Sequence, residues 1–269
     1  MADRPAPDGL QRGRRTRPAR DGVRARPRAP GSGPRGGEGR DASRPWFAAW
    51  WAEPLARPAL ALIAGATAVM VAAASGAAPL LRLDRALAEG LHRLALGHPS
   101  WTRANRILTD WVWDPWTVRL LIIGAVAVLW SRRRRTLALW VAGTCAAEWA
   151  LRAVLRWAVG RPRPVWEDPV DSASFASMPS GHAMTMAAGS VLLLWLARQG
   201  HPPPAVWILA VTAAAVSVAG VAFTRMYLGV HWPSDTVAGV LLGSGLSMAS
   251  LAAWKSAHHP RRTWTTPKP

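Results

Sequence analysis

From about residue 58 onward the chain alternates long apolar stretches with short charged turns. The apolar stretches are Pro58–Leu81, Trp116–Trp130, Leu137–Val159, Ala183–Leu196, Ala205–Phe223 and Thr236–Trp254. A helix needs about 20 residues, with roughly 17 as a lower bound, to cross the hydrocarbon core of a bilayer. The first, third, fifth and sixth stretches meet this alone. The fourth does so with Ser180–Ala183 and Arg198 as its ends, and the second must recruit flanking residues such as Ile107–Trp113. The pattern predicts an all-α polytopic membrane protein with six transmembrane helices. Between the first two stretches, Leu83, Leu87, Leu91 and Leu94 recur at helical spacing with charges between them. That spacing predicts an amphipathic surface helix rather than a span.

Composition divides the chain differently. Residues 1–45 are dominated by Arg, Pro, Gly and Ala and carry no helical or strand period, so a disordered tail is expected there. Nothing at the start reads as a secretory signal peptide. Residues 46–255 form the expected six-helix membrane domain, approached through the interfacial stretch Trp46–Trp51, and residues 256–269 a basic C-terminal tail. Many of the 17 tryptophans, among them Trp116, Trp130, Trp207 and Trp254, sit near the ends of apolar runs, where rings anchor at the headgroup level. The single cysteine, Cys145, lies inside an apolar run and is read as packing; it excludes an intrachain disulfide and a cysteine-rich metal site.

The formal net charge of +18 raises nucleic acid or an anionic membrane surface as a partner. The tail has no aromatic residue to stack on a base, so nucleic acid is not expected. Attraction to anionic lipid on the cytoplasmic leaflet is the simpler role. If six spans alternate, the tail, Arg132–Arg135, Arg198–Pro204 and the Lys255–Lys268 end share one side. The bias of Lys and Arg assigns that side to the cytoplasm of a plasma-membrane protein. Both termini would be cytoplasmic, and loops 82–115, 160–182 and 224–235 would face outward, with Asp84, Glu89, Asp110 and Asp114 offsetting the arginines of the first.

Two of those outward loops carry most of the reactive polar residues. The run from Arg156 to Arg163-Pro164 ends the third span, Pro179-Ser180-Gly181-His182 opens the fourth, and Thr224-Arg225 with His231 and Asp235 joins the fifth to the sixth. Parity alone places them on one side. Arg156, Arg163 and Arg225 offer permanently charged forks for phosphate oxygens. Ser180 and Gly181 precede an apolar helix, whose N–H groups and dipole favour an anion. Asp235 lies four residues after His231, with Pro233 suited to a first helical turn. It can accept from one ring nitrogen of His231 and leave the other as a nucleophile. His182 supplies a second imidazole for proton transfer.

The combination R-x6-R-P, P-S-G-H and T-R-x5-H-x3-D, spanning Arg156 to Asp235, resembles the signature of the type 2 phosphatidic acid phosphatase superfamily. The family's first motif usually begins with Lys and its third with Ser. Here Arg156 keeps the charge but adds a fork, and Thr224 keeps the hydroxyl. The resemblance implies a phosphohistidine on His231 oriented by Asp235, His182 as acid and then base, and phosphate held by Arg156, Arg163, Arg225, Ser180 and Gly181. It also implies no metal or other cofactor. The implied function is an integral-membrane phosphatase acting on a lipid phosphomonoester or diphosphate. Polyprenyl diphosphate, phosphatidic acid and phosphatidylglycerophosphate are all compatible. Soluble relatives use the same site for vanadate-dependent haloperoxidation, which six apolar spans argue against. The alternative from another class is a non-enzymatic membrane anchor whose basic tail binds anionic lipid.

Two neighbouring features need their own reading. Only Arg163 has a basic residue at the required spacing, so Arg161 is assigned to support. Glu148, Arg152 and Arg156 occupy successive four-residue steps of the third span, and an i,i+4 ion pair is the favoured account of them.

Overall fold

In the computed structural model of the chain, residues 46–258 are described. The expected disordered tail at 1–45 and most of the basic C-terminal tail lie outside the described residues. The described chain is helical without strands: α1 Trp46–Trp51, α2 Ala56–Ala74, α3 Ala78–Gly97, α4 Pro99–Ile107, a π-helical turn Leu108–Val112, α5 Pro115–Ser131, α6 Arg135–Val159, α7 Gly181–Arg198, α8 Pro204–Tyr227 and α9 Pro233–His258. Local chemistry accounts for several boundaries. Proline, whose fixed φ suits a first turn, opens α4, α5, α8 and α9. The Asp114 carboxylate accepts the Trp116 N–H at 2.7 Å and caps α5. Gly160 ends α6 with φ 57°, a left-handed conformation that glycine adopts without a Cβ penalty.

Among the described residues, five segments are long and apolar enough to cross a membrane: α2, the run Pro99–Ser131 through α4 and α5, α6, α8 and α9. The second apolar stretch does recruit its flank, because the π-helical turn joins α4 to α5. The fourth stretch, α7, is outside this set. It is an 18-residue helix with His182 and Arg198 near its ends. It packs among α5, α8 and α9, so protein rather than lipid surrounds much of it. The contrast between α8 and α9 makes the same point. Only 6% of the α8 span is buried within the protein against 50% of α9. The first presents its side chains to lipid, and the second is the central post on which α2 and α7 pack.

The amphipathic helix expected at Leu83–Leu96 is α3, and its polarity relative to the protein is the reverse of a core-facing leucine stripe. Leu83, Leu87 and Leu94 are exposed, whereas Asp84, Ala88, His92 and Ala95 are buried. The buried set runs at helical spacing too, and it is small and polar enough to meet the loops that follow α6 and α8.

The seam between α7 and α9 fixes the bundle. A Cβ built on Gly239 would stand 2.7 Å from the Ser180 carbonyl oxygen, and one on Gly243 would strike the backbone of Met184. These glycines, four residues apart, let two backbones touch, as small residues do at helix contacts in membranes. Gly243→Ala is expected to force the helices apart and to cost about 1–3 kcal/mol. Thermal unfolding of the detergent-solubilised protein measures this, and an unchanged midpoint would contradict the close seam.

Candidate active site

The glycine at the end of α6 turns the chain into an extended segment that carries Arg161 and Arg163 back across the bundle. Arg163 is held by the loop itself: Nε donates to the Phe175 carbonyl at 2.9 Å and Nη2 to that of Ser174 at 3.1 Å. Its Nη1 donates to the Val230 carbonyl and lies 3.2 Å from His231 Nε2. An arginine can only donate, so Nε2 carries the lone pair and the ring proton sits on Nδ1. Nδ1 is 3.5 Å from Asp235 Oδ2 without hydrogen-bond geometry, so the expected His231–Asp235 bond is a close approach here rather than a formed bond.

Asp235 is fully buried, and its partners explain its position. Oδ2 accepts the Trp232 N–H at 2.9 Å, closing the first turn of α9. Oδ1 accepts from Arg161 Nη1 at 2.8 Å, while Arg161 Nη2 donates to Asp84 Oδ2 at 2.7 Å. Asp84 in turn accepts the Ser234 N–H at 2.9 Å and the Ser234 hydroxyl. Arg161 therefore bridges two buried carboxylates and stays off the cavity, as its reading as support requires. Its guanidinium also lies over the Trp232 ring, 5.5 Å from the centroid. Asp84 went unnoticed as a site residue, since by sequence it only balanced charge in its loop. The signal was present in the Asp84, Ala88, His92, Ala95 stripe.

The expected residues converge on one polar cavity of about 420 Å³, lined among others by Arg156, Arg163, Arg225, His182 and His231. Arg119 and Arg152 reach the same cavity, as do Asp110, Asp114 and Asp171. Arg225, at the end of α8, is buried and pairs with Asp171 at 3.8 Å. Ser180 and Gly181 stand behind the lining. Ser180 is fully buried, its N–H donates to the Asp235 carbonyl at 3.0 Å, and its hydroxyl has no partner. Arg152 Nη1 and Arg156 Nη2 lie over Gly181.

The ion-pair ladder of α6 does not form. Glu148 accepts the Ser247 hydroxyl at 2.6 Å across the α6–α9 contact, and among the described residues Arg152 makes no ion pair. Among the described residues, no group of three or more His, Cys, Asp or Glu side chains is placed to hold a metal ion.

Electrostatics follow from burial beside positive charge. Desolvation lowers the His231 pKa well below its ordinary 6.5, with Arg163, Arg225 and Arg156 acting in the same direction. His231 is thus a neutral imidazole at neutral pH. Desolvation, then Arg156 and Arg225, brings Arg163 down to about 10, which leaves it charged. The result is a cationic cavity lined by two imidazoles, of which His231 presents its Nε2 lone pair, a fit for a tetrahedral oxyanion and an attack on its central atom.

Residues 137–258, which contain all three motifs, match the family model of the PAP2 superfamily, the type 2 phosphatidic acid phosphatases. The similarity extends to curated relatives. An undecaprenyl-diphosphatase of Sulfolobus acidocaldarius is 31% identical over 151 residues, covering 53% of this chain and 63% of the relative. A decaprenylphosphoryl-5-phosphoribose phosphatase of Mycobacterium tuberculosis is 35% identical over 130 residues, 46% of this chain and 64% of the relative. The chain thus spans just under two thirds of the length of the curated relatives it matches. In fold it is similar to a transmembrane PAP2-type phosphatidylglycerolphosphate phosphatase from Bacillus subtilis. The TM-score is 0.66 at 21% identity, over 76% of this chain and 98% of that one. The PAP2 match begins at residue 137 and so leaves out α3 and α5, which contribute Asp84 and Arg119.

Two outcomes are expected of this geometry. Removing one member of a buried ion pair costs about 3–5 kcal/mol, so Asp84→Ala should unfold far more readily, read by thermal denaturation in detergent. For His231, the unfolded chain takes up a proton below about pH 6.5 that the folded site refuses. The neutral ring's contribution is therefore complete above pH 6.5 and is lost as pH falls, by about 1.4 kcal/mol per pH unit. Comparing the wild type with His231→Asn between about pH 7.5 and pH 5.5 checks this, because the variant should show the smaller acid destabilisation.

Proposed function

We propose that the protein is an integral-membrane phosphatase that hydrolyses the phosphomonoester or diphosphate of a lipid. The observation that carries this reading is the convergence of Arg156, Arg163, Arg225, His182 and His231 on a single cavity at the ends of apolar helices. The names of its relatives supply the class of substrate. Polyprenyl diphosphate, phosphatidic acid and phosphatidylglycerophosphate remain the candidates.

In this mechanism the arginines take the non-bridging oxygens, and Arg163 passes from the lone pair of His231 to a phosphate oxygen. His231 Nε2 attacks phosphorus as the bond to the lipid oxygen breaks, and His182 gives that oxygen its proton. An anionic phosphate in the cavity favours the protonated form of His182. Water then attacks the phosphohistidine, His182 takes its proton, and inorganic phosphate leaves. As the ring becomes cationic, Nδ1–H is drawn to Asp235 Oδ2, the 3.5 Å approach becoming a charge-assisted bond. Ser180 acts by joining α7 to α9, and Gly181 by giving Arg152 and Arg156 room above the helix start.

The described helices form the catalytic body, with 1–45 and 256–269 as appended basic tails. The basic turns Arg132–Arg135 and Arg198–Pro204 lie at the ends of the helices remote from the site. By the bias of positive charge this supports cytoplasmic termini and an outward-facing site in a plasma-membrane protein.

Phosphate release by purified protein from a panel of lipid phosphates, with EDTA present, tests the proposal. His231→Ala should lose at least about a thousandfold in kcat and the acid-labile phosphoenzyme, and His182→Gln about a hundred- to ten-thousandfold. Equal release by His231→Ala would remove the nucleophile and favour the anchor reading.

A further inference from the structure

The polar cavity does not end at the phosphate-binding arginines. Beside it lies a second cavity of about 360 Å³ between α5, α6 and α7, with apolar walls that include Ile122, Ile123, Val126, Ala142, Ala146 and Ala188. The two cavities share Trp116, Arg119 and Arg152. A molecule reaching from the reactive histidine to the apolar space passes these side chains.

We infer that Arg119 and Arg152 form a second phosphate subsite, which selects lipids carrying another phosphate group between the scissile phosphate and the hydrocarbon chain. The inference rests on the proposed phosphatase reading and names its substrate class. Neither arginine belongs to the three motifs. Both are only partly exposed, and among the described residues neither has a carboxylate within ion-pair distance. The charged groups that act on Arg152 are Arg156 and Arg119, both positive. Of the cavity's acids, Asp171 pairs with Arg225 and Asp114 caps α5. Two guanidinium groups that line an apolar cavity and have no ion pair among the described residues are costly to keep there, and an anionic ligand lowers that cost. Arg119 lies 5.0 Å from the centroid of the Trp116 ring, and Arg152 lies beside Arg156 over Gly181.

A lipid monophosphate presents only neutral ester or alkyl groups at this point. A lipid diphosphate presents its inner phosphate there, and a phosphate joined through glycerol or a sugar to a phosphodiester presents the diester anion. In either case water cleaves the terminal phosphate as inorganic phosphate, and the inner phosphate stays with the lipid.

The test compares kcat/KM of the full chain in detergent for two matched pairs. These are farnesyl diphosphate against farnesyl monophosphate, and phosphatidylglycerophosphate against phosphatidic acid. In Arg119→Gln and Arg152→Gln the ratio of two-phosphate to one-phosphate turnover should fall by about tenfold or more for at least one pair. Lysine at either position should restore part of it. A fall confined to the farnesyl pair identifies a directly joined diphosphate, and one confined to the glycerolipid pair a spaced phosphodiester. Equal losses on both members of each pair, or no loss, would overturn the subsite. Measurable turnover of the monophosphates by the variants shows that they are folded. Wild-type protein that releases no phosphate, or His231→Asn that releases as much, would instead sink the phosphatase reading.

Discussion

A backbone contact underlies the site: the Ser180 N–H donates to the carbonyl of Asp235 at 3.0 Å, joining the start of α7 to the start of α9. His182 and His231 belong to segments far apart in sequence, and this bond lies beside both. It forms because Gly239 and Gly243 present no side chain to the facing backbone. A looser seam would leave the buried Ser180 N–H unpaired in a water-poor bundle, where that is expensive. The site geometry is thus inherited from a backbone-to-backbone contact between α7 and α9.

Charge sets the second constraint. Arg161 is neutralised by two carboxylates and is structural, whereas Arg119, Arg152, Arg156 and Arg163 have no ion pair among the described residues. The difference sets Arg161 apart from these four, while Arg225 lines the cavity although it pairs with Asp171 at 3.8 Å. It also explains the state of His231: a ring enclosed by guanidinium groups and away from water stays neutral, as a nucleophile must. Asp84 and Asp235 absorb charge behind the wall so that the cavity in front can remain cationic.

Much of this was legible from the chain. Apolar periodicity gave the helices because lipid demands long uninterrupted runs, and the motif spacings brought the three arginines and two histidines to one side by parity. What periodicity misjudged has physical causes. The helix α7 is shielded by its neighbours and needs less apolar character than a lipid-facing span. The leucines of α3 draw the eye, yet its functional face is the quieter stripe beginning at Asp84. Glu148 looked like the partner of Arg152 because i,i+4 spacing is local, whereas its actual partner, Ser247, comes from α9. Ser180 and Gly181 belong to a motif by position, but the tertiary contact with Asp235 sets them behind the cavity. Pairings between distant segments leave no periodic trace.

The seam between α7 and α9 has a consequence for how such a site can diversify. Backbone presses on backbone there, so the spacing of the two imidazoles cannot be adjusted by exchanging one side chain for another. The apolar walls contributed by α5 and α6, such as Ile122, Val126 and Ala146, are made of side chains, and those can be exchanged. A lineage adapting to a new lipid would therefore be expected to vary at these wall positions, holding the reacting centre constant while the fit to the rest of the molecule drifts.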